Sequence, residues 1–189
     1  MKKITILNGI TDDKFLDFEK QLDAFATDRS AVDRLEEVKI ECFTLRKMNI
    51  KYCTGCWSCW LKTPGECPLK DEMPKILRSV IHSDLTVFVS PVIMGFVSKH
   101  IKKAGDRLIP LVHPYIDISE KECHHISRYD KYPKLGLMLI EEQSNDARGN
   151  VGIITDIYKR NALNFKSKLA FSIVSNGSVE VLENEINRI

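Results

Sequence analysis

Three short runs in this chain are almost continuously apolar: Ile4-Thr5-Ile6-Leu7, Leu85-Thr86-Val87-Phe88-Val89 and Leu135-Gly136-Leu137-Met138-Leu139-Ile140. A strand with one wet face alternates, so strands without alternation are covered on both faces, and that pattern belongs to a parallel sheet held between helices. The stretches between the runs have helical spacing instead: Phe15, Phe18, Leu22 and Phe25, then Met73, Ile76, Leu77, Val80 and Ile81, then Ile101, Ala104, Gly105 and Leu108. Val38, Ile40 and Cys42 alternate with Lys39, Glu41 and Phe43, which suits an edge strand. Ile153, Ile154, Ile157 and Tyr158 mark a further helix, Leu169 to Val174 a last strand, and 178–189 a closing helix through Val181, Leu182 and Ile186. Strands alternating with helices require right-handed crossovers, giving an α/β sandwich of three layers around a five-stranded parallel sheet.

Local signals set the expected boundaries. Asp12 or Asp13 is placed to cap the first helix, and the polar patch Thr27 to Ser30 is expected to interrupt it before a second piece runs to Glu37. Asp71 opens the next helix, with Pro74 in its first turn. The strand 85–89 is expected to end at Ser90-Pro91, where a loop begins, and Ser98 caps the helix that follows. From 109 to 134 periodicity fails, which reads as an insertion near a functional rim. The 189 residues are expected to form a single domain over 1–189.

Between the second strand and the second helix lies Cys53-Thr54-Gly55-Cys56-Trp57-Ser58-Cys59, followed by Cys67: a C-x2-C-x2-C-x7-C array holding four of the six cysteines. Interleaved with Gly55, Gly65, Pro64 and Pro68, it is not a core pattern. Four thiolates this close suit one soft metal centre. The compact spacing favours a cubane iron–sulfur cluster over zinc, whose structural sites more often use two separated C-x2-C pairs, and both stay open. No export signal opens the sequence, so reduced thiols and a cytoplasmic location are expected. Cys123-His124-His125 with His113 offers a second ligand set, but consecutive ligands need a contorted backbone and a hydrogen-bonded loop is the better reading. Asp106 with Arg107 reads as helix pairing, and Trp57 and Trp60 as a shield or a partner contact.

With 28 bases against 26 acids, well mixed, the chain has no basic stripe to recommend nucleic acid. The longest apolar stretch, Leu85 to Val97, is broken by Ser90, Pro91 and Gly95 and is too short to span a membrane. Neither a Ser-His-Asp order nor a Walker loop is present, so hydrolase and NTPase readings have no support.

Two stretches together resemble a known family. The cysteine array running into Cys67-Pro68-Leu69-Lys70-Asp71-Glu72-Met73, and Ser90-Pro91-Val92-Ile93-Met94-Gly95-Phe96-Val97-Ser98 running on to Lys102-Lys103-Ala104-Gly105-Asp106-Arg107, are similar to the flavodoxin-like NAD(P)H-dependent FMN reductases. The cysteine motif narrows this to the iron–sulfur flavoproteins. The resemblance covers residues 1 to about 108 and implies a flavodoxin-like fold of strand order 2-1-3-4-5. It further implies FMN at the carboxyl ends of the strands, with ring contacts from Pro91, Val92, Ile93, Met94, Gly95, Phe96 and Ser98. Asn8, Gly9 and Thr11 stand where relatives hold the phosphate. A 4Fe-4S cluster on Cys53, Cys56, Cys59 and Cys67 and a reduced nicotinamide or other redox partner as donor are implied with it; a homo-oligomer is expected because a cluster loop near a rim with two tryptophans gains shielding and a short electron path from a neighbouring subunit. A flavin-free, metal-stabilised binding or assembly protein on the same fold is the alternative. The loop after the first strand departs from the family, since Asp12 and Asp13 stand beside the phosphate position, and weak FMN binding is expected.

Overall fold

The computed structural model describes residues 1–11, 13–31, 38–119, 121–140 and 147–189. Asp12, the expected short helix up to Glu37 and the acidic stretch 141–146 lie outside the described residues.

The mainly parallel sheet contains β1 (Lys2–Asn8), β2 (Val38–Thr44), β3 (Leu85–Ile93), β4 (Phe96–Val97), β7 (Lys134–Ile140) and β8 (Leu169–Ser175). Its order is β2-β1-β3-β7-β8, with β4 antiparallel on the end of β3, making six strands. A separate antiparallel hairpin is formed by β5 (Val112–Ser119) and β6 (Glu122–Ser127). The expected five-stranded sheet of order 2-1-3-4-5 is thus corrected in count and numbering. The added strand of this sheet, β4, is too short to give a period.

Two apolar layers cover the sheet. On one face Leu7, Phe88, Leu137 and Leu139 meet α3 (Met73–Ile81), α4 (Lys99–Asp106) and α5 (Ala147–Asn164) through Ile76, Val80, Ile101, Ala104, Ile154 and Tyr158. On the other, Ile6, Val87 and Met138 meet α1 (Leu16–Ala31) and α6 (Glu180–Arg188) through Phe18, Leu22, Leu182 and Ile186. The non-alternating strands divide their side chains between these layers, as double burial demands. β2, with its alternating pattern, takes one edge and among the described residues pairs only with β1.

Three local expectations are corrected. α1 continues through Thr27–Ser30 without a break, Thr27 donating its hydroxyl to the Asp23 carbonyl one turn back (2.9 Å). Asp13 does not cap it, because a 3-10 turn, Asp13–Phe15, comes first. β3 does not stop at Ser90-Pro91 but runs to Ile93. Pro91 is accommodated because β1 pairing ends at Asn8↔Val89, leaving Pro91 with a strand neighbour on the β7 side only.

Candidate functional site

The carboxyl ends of β1 and β3 meet the start of α4 at one point. Asn8 and Gly9 leave β1 fully inside the protein, and the Gly9 N–H donates to the Val89 carbonyl (2.8 Å). The Asn8 Oδ1 accepts from the Ile10 N–H (3.1 Å), while its Nδ2 is buried without a partner. Gly9 is required by proximity: a Cβ there would stand 2.2 Å from Ile101 Cγ1 and 2.8 Å from Ser98 Oγ. Ser98 is itself buried, its N–H donating to Ser90 Oγ (2.8 Å) and its Oγ accepting from the Ile101 N–H at the head of α4 (3.4 Å). Asn8, Gly9 and Ser98 are therefore brought together, with Thr11 half-exposed beside them.

The rest of the 91–98 stretch forms a tight hairpin. Ile93 pairs with Phe96 across a turn in which Met94 (φ 50°) and Gly95 (φ 77°) both take the left-handed conformation that twists with the strands. Pro91 is buried, Val92 half-buried, and Met94 projects fully into solvent. The turn leans on α5, where a Cβ at Gly95 would meet Asn150 Oδ1 at 3.0 Å.

A basic pair that periodicity does not reveal stands near the first loop. Arg46 and Lys47, in a 3-10 turn after β2 (Leu45–Lys47), converge on the buried Glu19 of α1: Arg46 Nε and one further nitrogen at 2.9 and 3.0 Å, and Lys47 Nζ at 2.7 Å. Burial acts to raise the Glu19 carboxyl, and these cations outweigh it and hold it below the usual range. Arg46 also reaches the exposed Asp13 at 3.5 Å. Burial, then the positive charges of Lys103, Lys99 and Arg46, depress the neighbouring His100 imidazole.

The four cysteines occupy one loop around the single-turn helix α2 (Ser58–Leu61). Cys53 and Cys56 are exposed, Cys59 and Cys67 half-buried, and all are free thiols. Gly55 and Trp57 take positive φ (64° and 60°), which turns the chain back between successive cysteines. Hydrogen bonds from the Ser58 side chain and backbone, then from the Thr54 side chain, lower the Cys56 thiol to about 7. Burial raises Cys59, and the negative charges of Cys67, Cys53 and Cys56 raise it further. Among the described residues no three His, Cys, Asp or Glu side chains close into a metal-binding group. The donor set nonetheless fits a soft cation: four sulfurs on one loop, repelling one another when ionised, are the electrostatic counterpart of a metal centre.

Trp60 fastens this loop to the body, its indole N–H shared between the carbonyls of Ile109 (3.1 Å) and Val112 (3.0 Å). Its ring packs between exposed Trp57 and His125, each 5.2 Å away. The loop's ends are joined by Asp71 and Arg107, whose side chains are 0% and 1% exposed and 2.8 Å apart. Arg107 is therefore not a surface helix partner. That place falls to Lys102, which pairs with Asp106 at 2.5 Å. Sequence reasoning missed the Asp71–Arg107 pair, although each residue lies in one of the two stretches that carry the family resemblance.

The histidine stretch is a strand. His124 is buried in β6 with Nδ1 3.3 Å from Asn164 Oδ1, which also accepts from the His125 N–H (3.3 Å). Behind it lies a cavity of about 310 Å³ that the sequence gives no sign of, lined in part by Trp60, Phe96, Lys102, His125 and Tyr158. It is where the cysteine loop and the 91–98 hairpin share a boundary. No helix among the described residues is long and apolar enough to cross a membrane.

No family model matches the chain. It is 34% identical over 115 residues to an iron-sulfur flavoprotein of Archaeoglobus fulgidus, covering 60% of this chain and 48% of the relative. It is 33% identical over 85 residues to a second one, from Methanocaldococcus jannaschii, covering 44% of this chain and 43% of the relative. The chain thus spans about half the length, or less, of the relatives it matches. In fold it is similar to an azoreductase of Bacillus anthracis (TM-score 0.59, 13% identity, 100% of this chain and 94% of that one). An FMN-dependent NADH-azoreductase of the same species, solved with FMN, is similar at TM-score 0.58 and 15% identity over 100% of this chain and 95% of that one. The resemblance read from the motifs is thus met twice, in sequence by iron-sulfur flavoproteins and in fold by flavodoxin-like reductases.

Proposed function

We propose that this chain is a flavin-dependent oxidoreductase or electron-transfer protein of the iron–sulfur flavoprotein type. The observation that carries the reading is the cysteine quartet, Cys53, Cys56, Cys59 and Cys67, on a single loop fastened beside the carboxyl-terminal rim of a flavodoxin-like sheet. The sequence similarity to two iron-sulfur flavoproteins supports it.

In this reading Asn8, Gly9 and Thr11 receive the FMN phosphate, and the unpaired Asn8 Nδ2 supplies a donor there. Pro91 to Phe96, with Ser98, orient the flavin ring, Gly95 allowing close backbone approach. The four cysteines hold a 4Fe-4S centre, and Trp57 and Trp60 exclude water from it. When bound, FMN interchanges paired and single electrons and the cluster stores single ones. No side chain acts as a nucleophile: the protein binds, orients and excludes water. A reduced nicotinamide is the proposed donor. A homo-oligomer is proposed because Trp57, Leu61 and Tyr52 leave apolar surface open around the cysteines. The chain is proposed to work as one domain in a reducing cytoplasm.

Anaerobic purification tests the reading. A brown protein with iron and sulfide, losing its colour in each Cys→Ser variant at 53, 56, 59 and 67 but not at 42 or 123, is expected. Colourless protein carrying stoichiometric zinc would overturn it in favour of the flavin-free alternative.

A further inference from the structure

The cysteine loop leaves the body of the protein at Lys51 and returns at Asp71, and one side chain holds both ends. Arg107, at the carboxyl end of α4, donates from one terminal nitrogen to the Lys51 carbonyl and to Asp71 Oδ2 (both 2.8 Å), and from the other to Asp71 Oδ1 (3.2 Å). Asp71 in turn accepts from the backbone N–H groups of Lys51 (2.9 Å) and Met73 (3.0 Å). The pair is fully inside the protein. Burying two charges is a poor way to gain stability, because well-packed apolar residues of similar size serve as well or better. Arginine is used where several planar, directed donors are needed at once. Here the donors on both terminal nitrogens close the neck, and among the described residues Nε is buried with no acceptor. Lys51 and Asp71, the two points that Arg107 holds, stand two and four residues from Cys53 and Cys67, the cysteines nearest the neck on either side.

We infer that Arg107 is the positioning residue of the cysteine loop. Its terminal nitrogens lock the neck shut, and its Nε–H is reserved for the sulfur of Cys53 or Cys67 when that sulfur is bound to metal. The inference deepens the proposed function and rests on metal binding by the loop. An N–H aimed at a metal-bound thiolate, with a positive charge behind it, stabilises the centre more after it has accepted an electron than before, so it raises the reduction potential. The same guanidinium joins α4, which begins at Ser98 beside the proposed flavin site, to the base of the cysteine loop.

The experiment uses Arg107→Lys and Arg107→Met in the full chain. Lysine keeps the charge beside Asp71 but loses the Nε–H together with the forked donors, so its potential is read beside the wild-type Nε–H resonance, which opening of the neck in a variant does not touch. With a reconstituted cluster, the midpoint potential followed by electron paramagnetic resonance is expected to fall in Arg107→Lys by about 59 mV, a tenfold change in the ratio of reduced to oxidised centre for one electron. In metal-free protein, alkylation of Cys53 and Cys67 is expected to quicken several-fold in Arg107→Met as the neck opens. In wild type, zinc loading is expected to shift the Arg107 Nε–H resonance and slow its exchange with solvent, a readout that needs no variant to fold. An unmoved Nε–H resonance on zinc loading, or an unchanged potential in a cluster-bearing Arg107→Lys protein, overturns the inference. A wild type that takes up zinc and shifts the resonance but never holds iron would leave Arg107 in place and refute the iron–sulfur reading instead.

Discussion

Replacing Gly9 by alanine tests the packing that brings the first loop against α4. The added methyl would lie 2.2 Å from Ile101 Cγ1, 2.8 Å from Ile101 Cδ1 and 2.8 Å from Ser98 Oγ, whereas non-bonded carbons settle at about 3.5–4.0 Å. Neither side has room to yield. Gly9 is tied to Val89 at 2.8 Å, its neighbours Asn8 and Ile10 are 0% exposed, and so is Ile101. Overpacking of a closed core costs about 1–3 kcal/mol, and driving Ser98 from its cap on α4 adds about 1 kcal/mol. Gly9→Ala is therefore expected to lose on the order of 2–4 kcal/mol, read as a lower urea midpoint at unchanged slope by far-ultraviolet circular dichroism. Ile101→Ala alone should cost about 2–5 kcal/mol by leaving a cavity, but much less in the Gly9→Ala background, where the new methyl occupies part of it. A coupling of at least about 1 kcal/mol is expected from the double-mutant cycle. Strictly additive costs, or a Gly9→Ala protein within about 0.5 kcal/mol of wild type, would refute the reasoning.

Three further outcomes are expected. Burial acts to raise the Asp71 carboxyl, but Arg107 and the Lys51 and Met73 N–H groups hold it below the usual range; its contribution is therefore complete above the unfolded carboxyl pKa of about 3.9 and lost as pH falls through the lower folded value. Asp71→Asn should cost about 3–5 kcal/mol near neutrality, by leaving Arg107 unpaired, and should flatten the acid limb of a plot of urea midpoint against pH; a limb parallel to wild type would count against the pair. With Cys56 lowered to about 7, the metal-free protein should alkylate first at Cys56, with a rate rising through that pH and a midpoint moved upward by Ser58→Ala; Cys123 reacting as fast at neutral pH would contradict this. Riboflavin and FMN should bind the apoprotein with similar affinity, because a carboxylate some 5 Å from a phosphate opposes it by about 1–3 kcal/mol at intermediate dielectric. Arg46 partly offsets Asp13, so Arg46→Gln should weaken FMN and leave riboflavin unchanged; equal loss of both in a calorimetric titration would remove the phosphate from this loop.

The layered architecture was legible because double burial writes itself into composition: Leu85 to Val89 could lie only in a covered strand, and Ile101 with Ala104 only against it. The cysteine quartet was equally legible, since ligand spacing is local. Pairings made across the chain were not. In sequence Arg107 reads as the helix partner of Asp106 because its actual partner, Asp71, is 36 residues away, and hydrophobic period says nothing about which charge turns inward. The same holds for Glu19 with Arg46, separated by 27 residues. Pro91 reads as a strand end because proline lacks a ladder donor, and only the sheet shows that β1 has already ended beside it. The β5–β6 hairpin escaped notice because its outward residues, Tyr115, Ile116 and Ile118, are exposed apolar groups that blur the alternation a strand normally displays.

Both tryptophans of the chain, Trp57 and Trp60, stand in the cysteine loop, one exposed and the other pinned to the carbonyls of Ile109 and Val112. Indole emission from this protein therefore reports on the loop and on its seating against the body, where Trp60 packs on the main core. Circular dichroism, dominated by the helices and strands, reads the rest. Followed side by side through a denaturant series, the two signals separate opening of the loop from collapse of the body. The gap between their midpoints measures how independently the cysteines can be uncovered while the fold stays intact.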